Sequence, residues 1–324
     1  MSSNWMHLGK ITMGKQGCLV LAAVQKNRSG IAAVTVEEVG EAGTGMAGTL
    51  IEGAYAPVMP WDIKAEEGVI DGRRLPSVIG YAISGTVIGS GPLGLRNAVG
   101  RRVISAVPGG SNAQRGVAPL APLVFTIPDN VSLAQAATVI GGGDAALMLS
   151  KVPELSPGDR VVISGANGGV GTWLVQILNL MDVRTDILSS SRSLEICRQL
   201  FPSNKVTDDS EQLLSGAYAA GIDLTGERRI LGILENRLRG GGTLVTAATP
   251  DYRASRSDVN AVFRNRPISP TGYNWLLAKL SERAITAVID SIYPLQEVRD
   301  AQWHVKRDPH KGRTLLRLNT GAES

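Results

Sequence analysis

The sequence predicts a two-part α/β chain in which a β-rich unit precedes a doubly wound parallel sheet. Three observations carry this reading. Residues 17–127 hold short β-branched runs separated by Gly and Pro, with no long helical period. From Ser132 onward, apolar strands and helices alternate. One glycine-rich strand-to-helix turn, at 165–171, stands at the head of that alternation.

In chain order, the β-rich part reads as strands at 18–21, 33–36, 78–87 and 102–105, with Cys18 expected inside a strand and in the core. Beyond Pro128-Asp129, Ser132 reads as a helix N-cap and 144–152 as a helix closed by Pro153. The alternation then runs strand 160–164, helix 170–181, strand 185–189, helix 194–201, strand 222–224, helix 230–238 and strand 243–247. The tail returns to strand character at 287–289 and 314–318 around a helix near 295–304, which rejoins the first unit. The expected domains are therefore 1–128 with 285–324, and 129–284.

Composition bounds the function. A chain of 324 residues accommodates two domains, and 43% hydrophobic against 19% charged residues supports a sizeable core. The formal charge is +4, but the basic runs are only pairs, Arg73-Arg74, Arg101-Arg102 and Arg228-Arg229, without interleaved aromatics, so no nucleic-acid partner is expected. Two distant cysteines, Cys18 and Cys197, exclude a disulfide framework or a zinc knuckle. The three histidines, His7, His304 and His310, read as surface groups. Residues 1–15 lack an apolar leader and no run is long enough to span a bilayer, so a cytoplasmic protein without a membrane partner is expected.

The segment from Arg160 to Thr172 carries the chemistry. A short apolar strand runs into Gly165-Ala166-Asn167-Gly168-Gly169-Val170-Gly171, which opens a helix with Val170, Leu174, Ile177, Leu178 and Met181 on one face. Glycine lets the backbone turn sharply and approach a pyrophosphate, while the helix start offers N–H groups and partial positive charge. Gly165, Asn167, Gly168, Gly169 and Val170 are thus the expected dinucleotide contacts. About 20 positions on, an acidic residue marks NAD and its replacement near an arginine marks NADP. Nineteen residues past Gly171 lies Ser190, within Ser189-Ser190-Ser191-Arg192, whose hydroxyls and guanidinium suit a 2′-phosphate. Asp186, 21 residues past Gly165, is the competing ribose ligand; the later position is favoured because Ile187-Leu188 still read as strand. Ser189, Ser190, Arg192, Thr225 and Ala247 complete the expected set, with NADPH as the cofactor.

These residues resemble the medium-chain dehydrogenase/reductase superfamily. The glycine turn is joined by Leu155-Ser-Pro-Gly-Asp-Arg-Val-Val-Ile163, Leu238-Arg-Gly-Gly-Gly-Thr-Leu-Val245, Leu75-Pro-Ser-Val-Ile-Gly80, Val99-Gly-Arg-Arg-Val103, Tyr293-Pro-Leu-Gln-Glu-Val298 and His310-Lys-Gly-Arg-Thr-Leu315, in the family's order. The resemblance implies a GroES-like β-rich domain plus a Rossmann domain, a cleft between them, and a homodimer. Zinc-dependent relatives carry His-Glu after the glycine matching Gly80; here Tyr81-Ala82 stand there with no cysteine nearby, so no metal is expected. The remaining branches are quinone oxidoreductases and 2-enoyl thioester reductases, which implies reduction of an activated C=C bond in an enone, quinone or enoyl thioester. The chain departs from those branches in three places. Met59 stands for an asparagine before Pro60 and Asp62, residues 68–71 contain no tyrosine donor, and Gly141-Gly142-Gly143-Asp144-Ala145 replaces a threonine-containing helix entry. A non-catalytic NADPH-binding protein and a fold redirected to cyclisation or isomerisation therefore stay open.

Tyr55, Tyr81 and Tyr273 are candidate proton donors or oxyanion partners. Tyr81 reads either as facing the nicotinamide or as a packed wall residue. Tyr273 falls where relatives carry a strand at the dimer edge and pocket wall. Asp62 reads as a structural hydrogen-bonder or a substrate-positioning group.

Overall fold

The computed structural model describes residues 18–70, 74–94 and 98–319; His7, Arg73 and the 1–15 segment lie outside them. The first part carries β1 (Leu19–Gln25), β2 (Val34–Gly40), β3 (Thr49–Pro57), helix α1 (Pro60–Glu66), β4 (Ser77–Val78), β5 (Ala82–Ser90), β6 (Arg102–Ala106), β7 (Arg115–Ala118) and β8 (Val124–Thr126). Then come α2 (Leu133–Ala137), α3 (Asp144–Ser150), β9 (Arg160–Ser164), α4 (Gly171–Leu180), β10 (Arg184–Leu188), α5 (Leu194–Leu200), β11 (Lys205–Thr207), β12 (Tyr218–Asp223), α6 (Arg228–Arg237), β13 (Leu238–Thr246), β14 (Asn260–Phe263) and α7 (Pro270–Ser281). The tail adds β15 (Ile289–Pro294), α8 (Val298–Arg307) and β16 (Arg313–Arg317).

Strands β9 to β14 form a six-stranded parallel sheet in the order β11-β10-β9-β12-β13-β14. The central strands are covered on both faces, so they read as continuous apolar runs: Val161, Val162 and Ile163 of β9 are fully buried. A seven-stranded sheet follows β15-β16-β3-β5-β6-β8, with β7 paired to β3, and a small sheet holds β2-β1-β4. The tail thus returns to the first part, through the antiparallel β16–β3 pairing. Ser132 caps α2 in a capping box, its Oγ accepting Gln135 N–H while the Gln135 side chain accepts Ser132 N–H. Among the described residues no helix is long and apolar enough to cross a membrane.

Two local expectations are corrected. Cys18 precedes β1 and is exposed, because the strand's first buried side chain is Val20. Tyr273 lies on a helix. Pro270 supplies a helix start at the first turn, and Tyr273, Leu276, Leu277 and Leu280 recur at helical spacing to form the buried face.

Candidate active site

The parallel order reverses direction between β9 and β12, and in such sheets ligands settle outside the carboxyl ends at that point. Ser164, last in β9, donates its hydroxyl proton to Asp223 Oδ1, last in β12, at 2.6 Å across the gap. Asp223 also accepts from Thr225 N (3.1 Å), Thr225 Oγ1 (2.7 Å) and Gly226 N (2.9 Å), which pins the turn after β12. Gly165 leaves β9 with φ +75, a conformation that a side chain disfavours. A Cβ on Gly171 would stand 2.5 Å from the backbone of Ala166, so glycine is required for the turn to close on α4. Asn167 ties the turn to the tail: its carbonyl accepts Gly312 N–H at 2.6 Å and its Nδ2 donates to His310 O at 2.8 Å. Gly168 and Gly169 stay half-buried, and Val170 and Ala247 pack against the large apolar cluster of this half.

Asp186 lies in the middle of β10. Its carboxylate is buried, accepts the Tyr218 hydroxyl at 2.6 Å and lies 3.8 Å from Arg160. Burial and the Asp186 charge together push the Tyr218 phenol well up. Ser189 is half-buried above Cys197, 3.5 Å away, while Ser190 and Arg192 are exposed, and Arg192 Nη2 donates to Arg307 O at 3.4 Å.

The facing wall is assembled from five separate elements. Arg313 of β16 is 5% exposed and donates to the carbonyls of Val58 (3.1 Å) and Gly141. Its guanidinium lies over the glycine turn so closely that a Cβ on Gly169 would meet it at 2.5 Å, and its Nε has no hydrogen-bond partner. Burial draws its pKa down to about 10, against the charges of Asp144 and Asp62. Asp144, first in α3, is half-buried; its Oδ1 accepts Gly141 N–H (2.8 Å) and Ala145 N–H (2.7 Å), and its Oδ2 accepts the Tyr273 hydroxyl at 3.2 Å. Tyr273 is 9% exposed and stacked on Phe125, with centroids 4.5 Å apart. Burial, Asp144 and the neighbouring Tyr81 push its phenol up. Tyr81 remains 38% exposed. Tyr55 belongs elsewhere, packed with Ala54, Ala137 and Leu315. Among the described residues no group of three or more His, Cys, Asp or Glu stands where it could hold a metal ion.

The structure therefore gathers Tyr81, Tyr273 and Asp62 around Arg313 and Asp144, and leaves Tyr55 in packing. Arg313 and Asp144 are the site residues that pattern reading passed over. Each carried a faint signal: an arginine opening an apolar strand, and a lone carboxylate after three glycines.

No family model matches the chain. It is 25% identical over 276 residues to a zinc-type alcohol dehydrogenase-like protein of Schizosaccharomyces pombe, covering 76% of this chain and 79% of the relative. It is 27% identical over 292 residues to quinone oxidoreductase-like protein 2 of Bos taurus, covering 79% and 81%. Among solved structures, the quinone oxidoreductase of Coxiella burnetii superposes with a TM-score of 0.84 at 20% identity, over 93% of this chain and all of that one. These relatives and structural neighbours are members of the medium-chain dehydrogenase/reductase superfamily, to which this chain is similar. A further structure of similar fold, mycobacterial Rv1454c in complex with NADPH, superposes with a TM-score of 0.76 at 23% identity over 92% of this chain and 99% of that one. With those neighbours the chain shares a fold of a GroES-like and a Rossmann part.

Proposed function

We propose that this protein is an NADPH-dependent reductase of an activated carbon–carbon double bond, in an enone, a quinone or an enoyl thioester, working in the cytoplasm as a homodimer and without a catalytic metal. The observation that carries the cofactor choice is the contrast between the middle of β10 and the residues just past its end. Asp186, the carboxylate that would bind a ribose diol, is committed to Tyr218 and Arg160, while Ser190 and Arg192 present hydroxyl and guanidinium groups outward. The glycine turn suits the pyrophosphate, since its backbone is bare where a Cβ would collide and Arg313 brings a buried cation with a spare N–H over it. Gly165, Asn167, Gly168, Gly169 and Val170 would line the phosphates, with Thr225 and Ala247 flanking the nucleoside and nicotinamide ends.

When bound, the reduced nicotinamide supplies the hydride. The chain's own residues position the acceptor and balance its charge. Tyr81 and Tyr273 offer hydroxyls to a developing oxyanion, and Asp62 helps to orient the substrate from α1. One observation favours a second reading, a non-catalytic NADPH-binding protein: Met59 is buried against Gly141, so the segment bearing it offers an apolar thioether to the cleft in place of an amide.

The test is fluorescence titration with NADPH and NADH on the native chain and Arg192→Ala, followed by an enone, quinone and enoyl-thioester panel. Tight NADPH binding that weakens selectively in Arg192→Ala, with turnover of a panel member, is the expected result. NADPH binding without turnover leaves the non-catalytic reading standing. Binding of neither nucleotide ends both.

A further inference from the structure

We propose that the pocket between α5 and the tail loop 308–312 is a regulatory site for a small organic phosphate monoester, whose binding tightens the hold of the tail on the glycine turn and raises nucleotide affinity. The regulation rests on the nucleotide-binding reading; the site itself does not.

The pocket has a volume of about 410 Å³ and is lined by Ile196, Gln199 and Leu200 of α5, Asp290 of β15, and Pro309, His310 and Lys311 of the tail loop. Small-molecule sites span ~300–1,000 Å³, so it is large enough for a ligand. None of the described residues that line it belongs to the set around Arg313 and Asp144. One wall comes from the parallel-sheet half, and the other from the part built on β15 and β16.

Its polar groups differ in whether they are already engaged. Asp290 Oδ1 accepts Lys311 N–H at 2.9 Å, while its Oδ2 accepts Ser291 Oγ at 2.8 Å and pairs with His304 Nε2 at 2.6 Å. Burial alone would lower the pKa of His304, but Asp290 and Asp308 raise it, so the acid in the wall has a cation behind it. Gln199 Nε2 donates to Glu195 Oε1 at 3.0 Å, and His310 Nδ1 donates to Asp308 O at 3.1 Å. The Lys311 ammonium, at the exposed rim, has no hydrogen bond or ion pair among the described residues. A free ammonium suits a phosphate, and an anion beside His310 favours a proton on its remaining nitrogen, Nε2. Half-buried Ile196 and Leu200, with Pro309 at the rim, offer an apolar strip to the carbon body of an ester.

Asn167 of the glycine turn joins the two walls. Its Nδ2 donates to His310 O at 2.8 Å, its carbonyl accepts Gly312 N–H at 2.6 Å, and its Oδ1 accepts from Cys197 Sγ of α5 at 3.9 Å. Gly312 bridges to Gly168, and the next residue, Arg313, lies over Gly169. A ligand held by both α5 and Lys311 therefore fixes the tail against the turn, and less ordering is left for the nucleotide to impose. By linkage the nucleotide raises the affinity of that ligand by the same factor.

Isothermal titration calorimetry with phenyl phosphate, inorganic phosphate and benzoate, each with and without saturating NADPH, tests the proposal. Phenyl phosphate should bind about tenfold more tightly than inorganic phosphate, which lacks the apolar body, and than benzoate, which carries one charge fewer. Lys311→Glu should weaken phenyl phosphate about tenfold. Ile196→Trp, which fills the pocket, should abolish its binding while leaving NADPH affinity without the probe unchanged, and thermal unfolding checks that both variants are folded. Saturating phenyl phosphate should lower the NADPH Kd about fivefold, and NADPH should lower the phenyl phosphate Kd equally. No binding to the native chain, or binding unchanged in both variants, overturns the site. Mutual exclusion of phenyl phosphate and NADPH places the phosphate in the nucleotide site and overturns it as well. Inorganic phosphate binding as tightly as phenyl phosphate overturns the ester as the ligand. Binding that is lost in the variants but leaves the NADPH Kd unmoved overturns the regulation. A native chain that binds phenyl phosphate and neither NADPH nor NADH overturns the nucleotide reading and the regulation with it, while the site stands.

Discussion

The Rossmann side of the candidate site and the side facing it are built from different materials. On the first, backbone geometry dominates: Gly165 turns with positive φ, Gly171 leaves no room for a Cβ, and the β9–β12 reversal sets the place. On the second, side chains dominate, and they come from α1, α3, α7, β16 and the segment before β5. Backbone sites need a local sequence and tolerate little change within it. Side-chain sites need distant segments to meet, and their members can be exchanged while the fold persists. That difference accounts for a glycine-turn side that follows the pattern of similar proteins closely and a facing side that departs from it at Met59 and Asp144.

Arg313 is where the two walls join, so its replacement should break the comparison most sharply. Arg313→Met leaves two carbonyls without their donor and removes the cation near Asp144, and a loss of about 3 kcal/mol in stability is expected. Denaturant unfolding measures it, and NADPH titration should show weaker binding in the same variant. An unchanged unfolding midpoint would mean that the guanidinium is dispensable to both walls.

Gly171→Ala attacks the backbone wall alone. Its Cβ meets rigid backbone at 2.5 Å, so about 2 kcal/mol of destabilisation and loss of NADPH binding are expected. A variant that binds NADPH normally would show that the turn has slack where the geometry gives it none.

Ser132→Ala works on the other side. It deletes the cap of α2, whose Leu133, Ala134 and Ala137 pack beneath Tyr55, and about 1 kcal/mol should be lost without any change in nucleotide affinity. Thermal unfolding beside a titration separates the two effects.

The smallest effect concerns the tail that clasps the glycine turn. Burial alone would lower the pKa of His304, but hydrogen bonds to Asp290 (2.6 Å) and Asp308 (3.1 Å) raise it above its ordinary value. A proton held more tightly in the folded state stabilises fully below the unfolded pKa and fades as pH rises through the folded one. Asp290, whose pKa is lowered against burial by Lys311 N–H and His304, works in the opposite sense, stabilising above its unfolded value and losing that as pH falls. Their shared contribution therefore lies between the two carboxylate and imidazole ranges. His304→Gln should lower Tm there by an amount worth no more than about 1 kcal/mol and converge with the native chain at alkaline pH. A difference that grew with pH would reverse the sign of this linkage.

Much of this was legible in residues 128–247. The helix start at Ser132, the β9 turn and the alternation after it are all local patterns, and strands buried on both faces announce themselves as apolar runs. Residues 270–273 misled, because a resemblance to a strand was followed where Pro270 and the spacing of Tyr273, Leu276 and Leu280 argued for a helix. Cys18 misled because a strand's first residue can lie outside the sheet's cover.

By itself the sequence determined the parallel half and the position of the glycine turn, since each depends on residues close in the chain. Only the tertiary structure decided that Asp186 is spent on Tyr218, that Tyr55 is packing, and that Arg313, Asp144 and Tyr273 lie together. Those are contacts between side chains far apart in sequence, and no periodicity along the chain encodes which of them will meet once the sheets have packed.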